Sequence, residues 1–404
     1  MTLPHSANLP SLETREDYLG EEFLVEVLRS LVSARSVNPH DSEAAVIDVI
    51  RGWLEPAGLE CHVIEFAAGR PSLAAVLNGA GGGPTLTVNG HVDTVPIDDI
   101  GEWDSDPFTL DVRDDGYAYG RGACDMKGGL SAQIGAALYL AAAPGRLVGT
   151  LVAQFAAGEE CGEPGTLSLI EAGFGGDFAI VTEPTELSIA IAERGLCCFR
   201  FSIKGRSIHG SRAHLGVNPN GELPRLLIML AGYQDEILQR SHPLLPGGSC
   251  TPTIIRSGVQ YNAVPDICEV MVDRRLLPGE TVSGELEDLR QRVAALQLVN
   301  PESTVEVTLL EYPFPFEAAE VGAESWFANV VKESAASVLG KDNDFVGTPF
   351  SSDVRNFVND GKIDAVTFGP GNVAECHCAN ERVETAQLRL CAKTIVHVSE
   401  QVLG

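Results

Sequence analysis

The stretch from Leu86 to Gly129 constrains this chain more than any other. It reads as a short apolar strand, Leu86 to Val88, that stops at Asn89-Gly90 and presents His91, Val92 and Asp93. Side chains alternate along extended backbone, so His91 and Asp93 point the same way. A carboxylate two residues from a histidine suits an imidazole that binds a metal, because the second ring nitrogen can donate to the acid. Further on, Asp125 follows a glycine-bearing turn (Gly120, Gly122) and precedes a helix starting near Lys127-Gly128-Gly129. Backbone N–H groups and the helix dipole favour a carboxylate there. Two strand-to-helix turns therefore each hold out one metal ligand.

Around this stretch the rhythm is that of a layered α/β domain. Helical spacing covers Glu13–Ala34, broken at Asn38-Pro39, and a second helix capped by Asp41 or Ser42 runs to about Leu54. Strands follow at 60–66, 72–77 and 85–88. A buried helix spans 128–143, and strands at 149–157 and 178–182 end in Gly158-Glu159-Glu160 and Glu183-Pro184. Polar residues at strand ends place a site along one edge of the sheet. From about Arg194 to Tyr312 the order becomes β-α-β-β-α-β, that of a ferredoxin-like sandwich. The expected organisation is a first domain at 1–193 and 313–404, interrupted by an inserted domain at 194–312. GAGGGP at 79–84 precedes a strand and lacks the Lys-Ser/Thr of a phosphate loop, so it reads as a turn.

A length of 404 residues allows two domains and a large core. The net charge of −28 argues against nucleic acid or an anionic membrane as partner. The N-terminal residues show no basic segment followed by an apolar one, and no apolar run reaches membrane-spanning length. Ten cysteines in such a chain read as reduced thiols, so the expected location is cytoplasmic.

Two adjacent carboxylates at a strand end point to different sides, so one of Glu159 and Glu160 can bind a metal while the other acts as a base. Taken singly, each of these acids reads as a solvated turn residue. The coincidence carries more: His91, Asp125, Glu160, Glu183 and His377 each sit beyond a strand or in a glycine-bearing loop. Two imidazoles with several carboxylates are what a pair of zinc-like ions needs, one carboxylate bridging.

HVDTVP, YGRGACDMKGG, AAGEE, VTEPT and ECHCANE, in that order, resemble the M20 metallopeptidase/aminoacylase family. The resemblance runs from about Asp17 to the last helix. It implies a zinc-peptidase-like catalytic domain, a central mixed sheet flanked by helices, with an inserted α+β ferredoxin-like lid that also dimerises. It implies that His91 and Glu183 hold one ion, that Glu160 and His377 hold the other, and that Asp125 bridges them. Asp93 braces His91, and Glu159 moves protons. A cis peptide is expected at Asp125-Met126. KGRSIHGSRAHLGVN matches the lid loop whose histidine, here His209, stabilises the oxyanion in the partner subunit's site. Asn262 and Arg275 (rather than Arg274) match substrate contacts. Gly371 in TFGPGN and Ser352 in SSDVR, with Asp353 and Arg355, match pocket-lining segments.

The implied activity is metal-dependent hydrolysis of the amide of an N-acyl amino acid, by a homodimer carrying two divalent ions, zinc before cobalt or manganese. Alternatives are a dipeptidase or carboxypeptidase of the same build, and deamination or decarbamoylation of a small acid. Cys124, Cys161, Cys376 and Cys378 flank the expected ligands and read mainly as packing, since neighbours of a ligand in extended chain point away from it, with thiol–metal binding or redox sensitivity as the alternative.

Overall fold

The computed structural model describes residues 14–162, 164–311 and 315–404. Glu13, at the expected start of the first helix, and Tyr312, at the expected end of the insert, lie outside the described residues, as do the first residues read for a leader. The chain forms two compact units. One runs to Ile191 and resumes at Val321–Val346 and Ser352–Gly404; the other comprises Ala192–Glu320 and Gly347–Ser351.

The first unit is built on a mixed sheet. Among the described residues, seven of its nine strands lie in the order Glu60–Ala67, Arg70–Asn78, Thr150–Ala156, Thr85–His91, Phe178–Val181, Asp364–Thr367 and Ile189–Glu193. The first two pairings are antiparallel and the next three parallel; the last is antiparallel again. The four mutually parallel strands are apolar and buried almost throughout, as strands covered on both faces must be. The helix Gly128–Ala141 packs with Glu21–Ser33 and Thr385–Leu403, and Thr385–Leu403 also packs with Trp326–Leu339. That helix is buried on every side, which matches its run of Ala, Leu and Gly. Gly129 permits its close approach: a Cβ there would lie 2.2 Å from the Thr182 carbonyl oxygen.

Two local expectations are corrected. The central strand does not stop at Val88 but continues through Asn89-Gly90 to His91. Asn89 donates to Gln154 Oε1 (2.9 Å) and Thr166 Oγ1 (3.0 Å), and Gly90 lies under Leu130 and Met126, so a turn-like dipeptide is held extended inside the core. The second helix begins at Ala44 with Glu43 as its cap residue, while Ser42 Oγ accepts the Ala44 N–H at 3.2 Å, so the expected capping is borne out only for the Ser42 side chain. Asp41 instead accepts from the Val37 N–H, while the Glu43 carboxylate is taken by Arg70.

The second unit carries a four-stranded antiparallel sheet in the order Ser249–Ser257, Ile267–Leu276, Gly195–Lys204, Thr304–Leu309. With the helices Leu223–Leu238 and Val282–Ala294 in sequence between them, this is the β-α-β-β-α-β arrangement. Alternate residues Cys197, Phe199, Phe201 and Ile203 enter one core with Val270, Val272, Leu230, Tyr233 and Leu289. Pro224 falls in the first turn of its helix, where its missing N–H costs nothing. No helix among the described residues is long and apolar enough to cross a membrane.

Candidate metal centre and active site

The parallel strands deliver the site. His91 ends the Thr85–His91 strand; Glu159 and Glu160 follow Thr150–Ala156 after Gly158, whose φ of 82° turns the chain; Glu183 follows Phe178–Val181. These are carboxyl ends of neighbouring strands, where the crevice of an α/β sheet opens. Asp125 lies in the Ala123–Lys127 turn, and the Asp125–Met126 peptide is cis. His377 lies in the loop beyond Asp364–Thr367 with φ 58°.

These residues converge. His91 Nε2 lies 3.0 Å from Asp125 Oδ1 and 3.6 Å from Glu183 Oε1. His377 Nε2 lies 3.1 Å from both Asp125 Oδ2 and Glu160 Oε1. Ligand atoms of His91, Asp125 and Glu160 fall within 4.8 Å of one another. Zinc–donor bonds of about 2.0–2.1 Å put adjacent donors of a tetrahedron roughly 3.3 Å apart, so these spacings suit donors around a shared cation. Charge supports the same reading. Burial, reinforced by Asp125, pushes Glu160 up to about 7 and lifts Glu183 well above the usual carboxylate range. Against its burial, Asp125 is held far below that range by the bonds from His377 and His91. A crevice with surplus negative charge must bind protons or cations, and its imidazole and carboxylate donors fit borderline divalent ions.

Glu159 turns away from Glu160 toward Arg355, with Oε1 3.6 Å from Nη1. Burial pushes its carboxyl up to about 8, Arg355 opposing. The two acids of the pair thus face different partners.

Asp93 serves differently from the simple brace expected. His91 Nδ1 bonds the Asp93 carbonyl oxygen at 2.9 Å, and the Asp93 carboxylate lies 3.6 Å from that nitrogen. The carboxylate chiefly accepts the N–H groups of Gly158 (2.9 Å), Glu159 (3.2 Å) and Glu160 (3.0 Å), so it fixes the turn carrying both acids. Behind it, Asn38 donates to Asp93, Arg70 donates to Asn38 Oδ1 (2.8 Å), and Glu43 pairs with Arg70.

The turn at Asp125 has a counterpart that the sequence reading missed. Its N–H groups do not serve Asp125 but the buried carboxylate of Glu381, which accepts from Gly122 (3.0 Å), Cys124 (2.9 Å) and Asp125 (3.0 Å). Arg121 donates to the same carboxylate at 2.7 Å. Glu381 closes the ECHCANE motif, but a lone acid in a loop carried no periodic signal.

The remaining expected residues are spread more widely. Ser352 is fully buried, with its hydroxyl accepting the Val354 N–H at 3.3 Å. Asp353 accepts from Thr166 and Asn356 inside the core. Gly371 gives its N–H to Gln387 and its carbonyl to the Glu186 N–H. His209, Asn262 and Arg275 belong to the second unit. His209 is exposed with Nδ1 on Ser211 (2.8 Å), and the Asn262 carbonyl accepts the Gly210 N–H (2.7 Å). Arg274 is wholly buried against Glu280 and Glu285, whereas Arg275 is half-buried beside Asp273.

Comparison with known proteins gives this geometry a family. The chain is 25% identical to the N-formyl-4-amino-5-aminomethyl-2-methylpyrimidine deformylase of Halalkalibacterium halodurans, over 93% of each chain. It is 28% identical to the acetylornithine deacetylase of Aliivibrio salmonicida, over 88% of this chain and 92% of that one. Its fold matches the Bacillus subtilis YXEP protein, a dinuclear metal-binding peptidase, with TM-score 0.70 and 18% identity over 96% of this chain and 98% of that one. The model of peptidase family M20/M25/M40 matches residues 87–401. The chain therefore belongs to peptidase family M20/M25/M40, whose members are hydrolases of amide bonds.

Proposed function

We propose that this protein removes the acyl group from an N-acyl amino acid, as a deacetylase or desuccinylase does. The observation that carries the reading is the convergence of His91, Asp125, Glu160, Glu183 and His377, with Glu159 beside them on the turn gripped by Asp93. The proposed cofactor is a pair of divalent cations, zinc before cobalt or manganese. His91 and Glu183 serve one ion, Glu160 and His377 the other, and Asp125 both. When bound, such a pair supplies the positive charge that acidifies water and polarises a carbonyl.

The chain's own groups do the rest. Glu159 takes the proton of the attacking water and hands it to the leaving nitrogen. Asp93 keeps Glu159 and Glu160 at fixed positions through their N–H groups. In the second unit, Arg275, half-buried and paired with Asp273, is proposed as the arginine that meets a substrate carboxylate, since Arg274 is wholly buried against Glu280 and Glu285. His209 is proposed as the donor to the developing oxyanion, supplied to a partner subunit, with Asn262 as its neighbour in substrate contact. A homodimer through this unit is supported by the edge strand Ser249–Ser257, whose Ile254 and Ile255 are exposed, and by the fully exposed Val259 and Tyr261. All ten cysteines are free, which supports a reducing, cytoplasmic location.

The deformylase and deacetylase relatives both release a small acyl group from nitrogen, which supports deacylation over peptide cleavage. The test is amine release from N-formyl, N-acetyl, N-succinyl, N-carbamoyl and dipeptide substrates by zinc-, cobalt- and manganese-loaded protein. Turnover of N-acyl amino acids is expected. Turnover confined to dipeptides or to N-carbamoyl acids would overturn the proposal.

A further inference from the structure

We propose that Cys124 and Cys376 form a redox-sensitive pair, joined on oxidation by a disulfide that fastens the Asp125 turn to the His377 loop and reversibly disables the site. Its functional consequence rests on the metal-centre reading above; the bond itself does not.

The two sulfurs lie 3.7 Å apart although the residues are far separated in sequence. Both thiols approach the same acceptor, the Asn372 carbonyl, at 3.3 Å from Cys124 and 3.7 Å from Cys376. Space for the Cys124 sulfur exists only because residue 371 is glycine: a Cβ there would sit 2.6 Å from it. Cys378, two residues on, turns its thiol to the Glu375 carbonyl instead (3.2 Å). Cys124 is buried and Cys376 partly exposed, so the two have distinct roles. Cys376 is the thiol an oxidant reaches first, and Cys124 is the one that resolves it.

The chemistry balances with a peroxide as two-electron oxidant. The Cys376 sulfur attacks peroxide oxygen, giving a sulfenic acid and one water. The Cys124 sulfur then displaces hydroxide, which leaves as the second water, and the S–S bond forms. Two thiols lose two electrons and one peroxide gains them; a dithiol reverses the change. Cys376 is only partly exposed, so the first step needs excess peroxide.

A disulfide of about 2.05 Å requires the sulfurs to close by roughly 1.7 Å. Side-chain rotation takes up part of that. The remainder falls on backbone one residue from Asp125 and one residue from His377, whose facing atoms are 3.1 Å apart. Metal sites tolerate shifts of only about 0.2 Å, so cation affinity falls with the bond.

The experiment treats zinc-loaded full-length protein with hydrogen peroxide, blocks remaining thiols, and maps peptides without reduction. Bound zinc is measured on the same samples by elemental analysis. A 124–376 crosslink is expected, with zinc content reduced at least fivefold and restored by dithiothreitol and added zinc. Cys376→Ser should retain zinc and resist peroxide. Cys124→Ala gives the same test should that variant fail to fold. Sulfinic or sulfonic acid at unlinked cysteines, a 376–378 crosslink, or a 124–376 crosslink with zinc fully retained would each overturn the proposal. Crosslink and zinc are read without substrate, so failure of the deacylase assignment is a separate result.

Discussion

Buried charge occurs in both units of this molecule, and the two cases behave oppositely. In the second unit Arg274 meets Glu280 and Glu285 at 2.8 Å, Arg240 meets Glu285 at 3.0 Å and also pairs with Glu280, and the Tyr233 hydroxyl donates to Glu285. Burial alone would raise Glu285, but the bonds from Arg274 and Tyr233 win and hold it below its ordinary range. In the first unit burial wins for Glu159, Glu160 and Glu183, which go up. Opposite signs in balance make a girder. Acids in surplus favour positive charge, as the proposed metal centre requires, and that difference sets it apart from the balanced network.

Several changes would break or sharpen the contrast, taken from the largest effect. Glu159→Gln should lower kcat about 10^3- to 10^4-fold with bound metal unchanged; near-normal hydrolysis removes Glu159 as the base. Arg274→Met should cost about 3 kcal/mol of stability, read by denaturant unfolding, because it leaves buried Glu285 with only Arg240 and Tyr233. Its metal content per folded molecule should stay normal, and a variant lacking metal would show that the two networks are coupled. Chelation should lower stability by about 3 kcal/mol for each site held at about a hundredfold excess of free cation over Kd, and added zinc should restore it. An unchanged Tm on chelation would remove cations from the surplus-charge argument. Glu381→Gln should weaken metal affinity by about 10- to 100-fold through the Asp125 turn while leaving an acceptor for its N–H groups. Equal metal affinity would make Glu381 a packing residue.

The smallest effect is on pH. Glu285 sits below its ordinary value, so its contribution to stability is complete above about pH 4.5 and is lost as pH falls through the lower folded-state value. Tm measured from pH 7 to 3 should fall in that window, and Arg274→Met should flatten the fall.

Much of this was readable in the chain. His91, Glu159, Glu160 and Glu183 were visible because an apolar strand announces its own end, and polar residues there have one direction to face. The alternating strands and two helices of the second unit were legible for the same periodic reason. What failed was long-range. Asn89-Gly90 carries a turn signature, yet Gln154 and Thr166 satisfy the Asn89 amide and hold the chain extended. Glu381, Asn38, Arg70 and Glu43 act through backbone amides and side chains brought together only by folding, so nothing in their local spacing marks them.

The Glu381 grip also sets an order of events during synthesis. Its carboxylate gathers amides of residues 122 to 125, and His377 faces Asp125, yet both follow the intervening unit in the chain. A growing polypeptide therefore exposes the acids of the central strands long before their last partners leave the ribosome. Of the converging residues only His377 comes after the second unit, so the side of the site where it meets Glu160 is completed last.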